Sequence, residues 1–179
     1  GMPARAVDSL VQVKCVGDAY AGGFAQGRTM RGGESVTAMK YESQQVHTTA
    51  DATIITTVLV RQGRYKCRHV LTHYNGSKSF DICTVFENIC AEDISLEMLS
   101  SFSLDGITPF DKADAPEKLY LHRFRSTWSS EGRHDCRSFE DMQLETSWAG
   151  ICSAGERFGQ AGSQPVRGFF PFIAVEDRC

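Results

Sequence analysis

The stretch ATIITTVLVRQGRYKCRHVLTHYNGSKSFDICTVFENIC, from Ala52 to Cys90, decides the fold class. Its first part, ATIITTVLVRQ, is apolar or β-branched on both faces, which is typical of a central strand covered on each side. In RYKCRHVLTHY and SFDICTVFENIC, alternating side chains share one face of a strand. Between these two segments, Asn75-Gly76 predicts a type I′ hairpin turn, because both central positions of that turn need positive φ. The stretch therefore predicts three consecutive antiparallel strands.

The same period of two continues on both sides of this stretch. Val11–Cys15 and Thr37–Glu42 each alternate apolar and polar side chains, so each predicts a strand. Further strands are predicted in SLEMLSSFSL, KLYLHRFRSTW, HDCRSFEDMQLETSW and FIAVED. With about ten strands and no convincing long helix, the sequence predicts an all-β fold of two packed antiparallel sheets. We expect one domain over residues 1–179.

Composition argues against two broad classes of partner. The formal net charge is -3 and the sequence pI is about 6.0, so the chain lacks the basic surface that nucleic acid requires. It also lacks an apolar run long enough to cross a bilayer. We therefore expect neither a nucleic-acid nor a membrane partner. Gly1 before Met2 is typical of what remains after a tag is cleaved, and it is left out of the fold prediction.

The 7 cysteines are scattered along the chain and include no CxxC pair. Metal and redox motifs bring such ligands together at short spacing, so no metal or cofactor is predicted from them. Cys15, Cys67 and Cys83 are expected on the apolar side of strands, where a thiol behaves as a small hydrophobic group. Reduced thiols of this kind indicate a cytoplasmic protein.

The residue patterns alone predict no catalytic site. His69 and His73 lie on one strand face but about 13 Å apart, too far to share a metal ion. The adjacent acidic pairs Glu176-Asp177 and Glu140-Asp141 point to opposite faces of a strand, so neither pair acts as acid and base together. The glycine-rich run from Gly17 to Gly33 is predicted to be a connecting loop, because no strand and amphipathic helix flank it as in a dinucleotide site.

Four segments, which together cover much of the chain, carry a family resemblance. They are SLVQVKCVGDAYAGGFAQGRTMR, EMLSSFSLDGITPF, LHRFRSTWSSEGR and SWAGICSAGERFGQAGSQPVRGFFPFIAVEDR. In this order they resemble successive parts of the N-terminal β-domain of bacterial α-galactosidases of glycoside hydrolase family 36. The resemblance implies a β-supersandwich of the galactose mutarotase-like kind, followed by a (β/α)₈ catalytic barrel and a small C-terminal β-domain.

The activity that the resemblance implies is retaining hydrolysis of terminal α-galactosides by two carboxylates. In that family both carboxylates belong to the barrel, so no catalytic residue is expected in this chain. We expect the chain itself to be inactive and to support the barrel, a homo-oligomer and the mouth of the active site. FIAVED stops at Arg178 and Cys179 without a capping turn, so we expect the natural chain to continue into the barrel.

Candidate sugar contacts are Trp128 and Trp148, since an indole ring stacks on the apolar face of galactose and carries an N–H donor. Glu131 and Arg133 follow Trp128 in a predicted turn and are the polar candidates. Farther along the chain, four apolar side chains are expected to supply both faces of one strand, with one face directed to the barrel or another covering segment. These are Phe169, Phe170, Phe172 and Ile173.

Two other functions fit the same sequence. A stand-alone carbohydrate-binding, lectin-like β-sandwich would equally lack catalytic residues. An aldose mutarotase-like enzyme would need a histidine and a glutamate that converge in one cleft. Several hundred further residues with alternating β and α periods would exclude the stand-alone module.

Overall fold

The computed structural model describes residues 8–20, 30–104, 107, 116–142, 144 and 168–178. These residues form 9 strands and 1 single-turn helix, in the order β1 (Val13–Cys15), α1 (Glu34–Thr37), β2 (Lys40–Thr48), β3 (Ala52–Arg61), β4 (Tyr65–Tyr74), β5 (Phe80–Asn88), β6 (Leu96–Leu99), β7 (Leu119–Arg125), β8 (His134–Ser138) and β9 (Phe169–Asp177). Every strand pairing in this part of the chain is antiparallel. The all-β prediction is therefore confirmed.

The chain divides into two compact units. The first contains Gly1–Ala21 and Arg28–Asp105, and the second contains Gly22–Gly27 and Gly106–Cys179. The strands described here form three sheets, with the orders β1-β6, β2-β3-β4-β5 and β8-β7-β9. The first two sheets belong to the first unit and the third sheet belongs to the second. No helix described in either unit is long and apolar enough to cross a membrane.

The four-stranded sheet of the first unit is a meander whose strands follow chain order. β3 pairs laterally with β2 and β4, so it is the central strand that its sequence predicts, although most of its residues are only partly buried. Its pairing with β4 runs without interruption from Ala52 opposite Tyr74 to Arg61 opposite Tyr65. The predicted three-stranded core of this sheet is thus confirmed.

The turn between β4 and β5 differs from its prediction. Gly76 has a φ of 80°, but Asn75 is not among the positive-φ residues, so the type I′ assignment is wrong. A positive φ at the second central position alone is the pattern of a type II turn. The backbone N–H of Asn75 donates to the carbonyl of Asp51 at 2.8 Å, and its side-chain amide donates to that of Ala50 at 2.8 Å. These contacts with the neighbouring β2–β3 turn hold Asn75 outside the left-handed region.

The core of the first unit lies between its two sheets. Val11, Val13 and Cys15 pack against Tyr65 and Cys67 of β4, and all five side chains are buried. The Tyr65 hydroxyl donates to the carbonyl of Ser35 at 2.7 Å, so this buried phenol keeps a hydrogen bond. Burial of the ring thereby also fixes the position of α1.

The helix α1 replaces the start of a predicted strand. Thr37 was expected to alternate with Met39 in the strand Thr37–Glu42, but Thr37 ends α1 and β2 begins at Lys40. Ser35 is fully buried and its hydroxyl bonds to the Asp18 carboxylate, while its carbonyl accepts from Tyr65. These long-range contacts outweigh the local alternation of side chains, because that pattern reflects only residues that are neighbours in sequence.

The cysteines follow their prediction at two positions of three. Cys15 and Cys67 are buried, but Cys83 is exposed. Cys83 pairs with Val70, whereas the buried face of β4 carries Tyr65 and Cys67, so Cys83 lies on the opposite face of the sheet. Successive side chains of a strand point to opposite faces. A prediction that places the even-numbered instead of the odd-numbered residues of β5 on the solvent face therefore puts Cys83 in the core by mistake.

The sheet of the second unit places β7 between β8 and β9. Leu119, Leu121 and Arg123 are buried on one face of β7, and His122 belongs to the opposite, more exposed face. Within the described residues β9 pairs with β7 alone, so Pro171 lies on an edge strand, where a missing N–H donor is tolerated.

Candidate functional site on the β7–β8 hairpin

The turn from Ser126 to Arg133 joins β7 to β8 and is closed by several backbone hydrogen bonds. Gly132 N–H donates to the Arg125 carbonyl at 2.8 Å, and Arg125 N–H donates to the Arg133 carbonyl at 2.9 Å. Ser126 N–H donates at 2.9 Å to the carbonyl of Gly168, which precedes β9. The turn is therefore anchored to both neighbours of β7.

Trp128 lies at the tip of this turn and is 96% exposed. It follows Thr127 and precedes Ser129, whose φ of 67° is in the left-handed region. Ser130 N–H donates to the Thr127 carbonyl at 3.0 Å, and the hydroxyls of Thr127 and Ser130 bond to each other. An ordered turn thus presents the whole indole ring to solvent.

Glu131 and Arg133 are also exposed and belong to the same turn. Gly132 separates them and has a φ of 76°, while Arg133 N–H donates to the Ser130 carbonyl at 3.0 Å. The structure therefore brings three of the four candidate sugar contacts into one exposed segment. The fourth candidate, Trp148, lies outside the described residues.

A second group of polar side chains lies on the more exposed face of the same hairpin. His122 of β7 is the register partner of Cys136 of β8, and His134 lies two residues before Cys136 on the same strand face. His122 Nδ1 is 2.9 Å from His134 Nε2, and Cys136 Sγ is 3.9 Å from His122 Nε2. One ligand atom from each residue lies within 4.8 Å of the others.

The third strand of this sheet contributes a carboxylate to the group. Glu176 Oε2 of β9 lies 3.0 Å from His122 Nε2. The Arg178 guanidinium donates to the same oxygen at 2.8 Å and lies 3.6 Å from the centre of the Tyr120 ring. The hydrogen bond from Arg178, with a smaller one from His122, holds the pKa of Glu176 below its ordinary value, although burial opposes the shift. Glu176 is therefore a fixed anion beside His122.

The opposite face of the hairpin carries a buried ion pair. Arg123 Nη2 donates to Asp135 Oδ2 at 2.7 Å, and Arg125 and Arg137 lie 3.6 and 3.4 Å from Oδ1. Burial by itself would raise the pKa of Asp135, but the hydrogen bond from Arg123 and the charges of the three arginines lower it. This pair clamps β7 to β8 beneath the exposed histidines.

The group of His122, His134 and Cys136 is not the pair of histidines that the sequence pattern singles out, His69 and His73. His69 is buried, with no hydrogen-bond partner for Nε2 in the part of the chain described, and His73 contacts the Ser77 carbonyl at 2.9 Å. The sequence feature that points to this group is the i, i+2 spacing of His134 and Cys136, which puts both side chains on one face of a predicted strand. The partner His122 could be added only with the register of β7 against β8, which the sequence does not specify.

Comparisons of this chain with protein-family models, with curated proteins and with solved structures found no match. The family resemblance accordingly depends on the four segments quoted above.

Proposed function

We propose that this chain is the non-catalytic N-terminal β-domain of an α-galactosidase, and that its β7–β8 turn contacts a terminal α-galactoside. The observation that carries the sugar contact is the position of Trp128, 96% exposed at the tip of an ordered turn. A rigid aromatic side chain at the tip of a loop suits a binding role, because binding residues are disproportionately carried on loops held by a rigid scaffold. The four family-like segments, one of which includes this turn, supply the identity of the sugar.

The chemistry of the turn suits a pyranose. An indole ring offers a rigid apolar face for the C–H groups of galactose and loses little conformational entropy on binding, because only two side-chain torsions become fixed. Glu131 accepts and Arg133 donates hydrogen bonds, and both are exposed in the same turn. Trp128 would thus supply stacking, and the two charged residues would orient the hydroxyl groups.

The proposed domain supports catalysis without performing it. In the family that the segments resemble, both catalytic carboxylates belong to the barrel, so this chain contributes fold, oligomer contacts and the active-site mouth. Edge strand β9 suits docking to such a barrel, because Ile173 and Val175 share one of its faces and are 48% and 45% exposed. The β-supersandwich arrangement of the sheets and the homo-oligomer belong to this same proposal.

The structure bears differently on the two alternative functions, the stand-alone carbohydrate-binding module and the mutarotase-like enzyme. A stand-alone carbohydrate-binding module would use the same Trp128 turn, so only the sequence that follows this chain in its gene separates the two. A mutarotase needs a general acid and a general base within hydrogen-bond distance of the ring oxygen and the anomeric hydroxyl of the same sugar. His122 and Glu176 do meet, but their direct 3.0 Å contact leaves no space for a sugar between them, so we do not adopt that function.

The experiment is a calorimetric titration of the purified chain with methyl α-galactoside, with methyl α-glucoside as the competing sugar. We expect Trp128→Ala to weaken galactoside binding by about 1 kcal/mol, roughly fivefold in Kd. Tyr41→Ala is the matched control, because Tyr41 is an aromatic residue 66% exposed on a different strand. Equal galactoside binding by wild type and Trp128→Ala would refute the contact.

Activity is tested in parallel with an aryl α-galactoside. We expect no hydrolysis by the purified chain, because the family's nucleophile and its acid/base lie in the barrel. Turnover that survives further purification would overturn the assignment as a non-catalytic domain.

A further inference from the structure

We propose that His122, His134 and Cys136 form a surface binding site for a zinc ion, with Glu176 positioning His122. Nothing in the galactoside proposal requires this site, although His134 directly follows Arg133 of the β7–β8 turn.

The ligand types fit a borderline transition metal. Two imidazole nitrogens and one thiolate are ligands that Zn²⁺ prefers, and three protein ligands leave a fourth position for water. His134 and Cys136 are exposed and His122 is half-buried, so an ion can reach all three side chains from solvent. The three residues come from two directly paired strands, which fixes their backbones relative to one another.

The separations need only side-chain adjustment. Bond lengths of about 2.0–2.1 Å to nitrogen and 2.3 Å to sulfur place the ligand atoms of a tetrahedral zinc site roughly 3.3 to 3.6 Å apart. Here the three candidate atoms lie within 4.8 Å of one another, and His122 Nδ1 and His134 Nε2 already meet at 2.9 Å. Rotation of the exposed Cys136 thiol and His134 imidazole can close this difference without moving the strands or breaking the contact of His122 with Glu176.

The carboxylate is the second, independent observation. A histidine that binds a metal almost always donates its other ring N–H to a carboxylate, a backbone carbonyl or water, which fixes its tautomer and orientation. His122 has this arrangement, because Glu176 Oε2 contacts Nε2 at 3.0 Å while Nδ1 faces His134. Arg178 in turn holds Glu176 at 2.8 Å. Glu176 is therefore a positioning residue, and Nδ1 of His122 is the nitrogen left to bind the ion beside His134. Cys136 Sγ, which lies 3.9 Å from Nε2, turns toward that side to complete the ligand set.

The test is titration of the metal-free, reduced chain with ZnCl₂, followed by calorimetry and by alkylation of thiols. We expect one zinc ion per chain at this site and protection of Cys136 from alkylation when zinc is bound. Cys136→Ser and His134→Asn should weaken this binding by more than about a hundredfold, beyond the 10–100-fold typical of a lost outer-shell partner such as Glu176→Gln. With Co²⁺ in place of zinc, a thiolate charge-transfer band should appear and be absent in Cys136→Ser.

Matched controls are Cys83→Ser and His47→Gln, which remove an exposed thiol and an exposed imidazole from the first unit. Both controls should bind zinc like the wild type. Circular dichroism of each variant separates loss of the site from loss of the fold. Unchanged zinc affinity in a folded Cys136→Ser or His134→Asn variant would overturn the proposal, as would a wild-type chain that leaves Cys136 fully reactive in saturating zinc.

Discussion

Arg123 of β7 and Asp135 of β8 are direct register partners, and their side chains meet at 2.7 Å on the buried face of the sheet. The two side chains are only 4% and 10% exposed. Removing one partner leaves an uncompensated charge in a buried place. We therefore expect Asp135→Asn to lower the free energy of unfolding by roughly 3 to 5 kcal/mol, measured by urea denaturation.

The control for this prediction is an exposed ion pair. Lys66 Nζ lies 3.0 Å from a Glu42 carboxylate oxygen, but both side chains are about one third exposed. Solvent screens such a pair, so Glu42→Gln should change the free energy of unfolding by no more than about 1 kcal/mol. Similar losses in Asp135→Asn and Glu42→Gln would contradict the clamping role of the Arg123–Asp135 pair.

The Tyr65 hydroxyl gives a second prediction. Tyr65→Phe keeps the buried ring but removes the donor to the Ser35 carbonyl, so we expect a loss of about 0.5 to 1.5 kcal/mol in stability. Tyr65→Ala also opens a cavity and should cost roughly 3 to 5 kcal/mol. Equal effects of the two substitutions in chemical denaturation would mean that the ring does not pack as described.

His69 predicts a dependence of stability on pH. Burial lowers the pKa of its imidazole in the folded chain, so the unfolded chain binds a proton more readily. As the pH falls below the unfolded value of about 6.5, the unfolded state is protonated first and stability decreases until the folded pKa is reached. His69→Gln should remove this contribution and flatten the slope of unfolding free energy between about pH 5 and pH 7, whereas His47→Gln, at an exposed position, should leave it. An unchanged slope in His69→Gln would disprove the linkage.

Thiol reactivity provides a fourth prediction. Burial, with a smaller contribution from Cys15, raises the pKa of Cys67 to about 11, so this thiol is neither accessible nor ionised at neutral pH. Alkylation of the native chain without zinc, read by peptide mapping, should modify Cys83 and Cys136 well before Cys15 and Cys67. Early modification of Cys67 would show that the core opens on the timescale of the reaction.

The strands were predictable where a local pattern determines them. The meander from Ala52 to Asn88 follows from hydrophobic alternation and turn residues, so sequence reasoning located β3, β4 and β5. It failed where distant groups decide the local structure. Thr37 belongs to α1 because Ser35 is held by hydrogen bonds with Asp18 and Tyr65. Asn75 does not adopt a positive φ, because it donates hydrogen bonds to carbonyls of the β2–β3 turn.

The candidate sites divide in the same way. Trp128 was predicted at an exposed turn because a strand end and polar neighbours surround it in sequence, and the structure places it there. The group of His122, His134 and Cys136 was not predicted, since its members converge only through the register of β7 against β8. Glu176 joins them from β9, after a long sequence gap that no local pattern bridges.

The pairing of β1 with β6 has a consequence for the order of folding. The meander between them joins neighbours in sequence, so each hairpin closes a short loop at little entropic cost. Gln12 and Ser100, which flank the β1–β6 pair and bond to each other, are 88 residues apart. Closing so long a loop is slow unless the meander has already shortened it. We expect the transition state to contain the β3–β4 hairpin, and the β1–β6 pair to form late on the folding pathway.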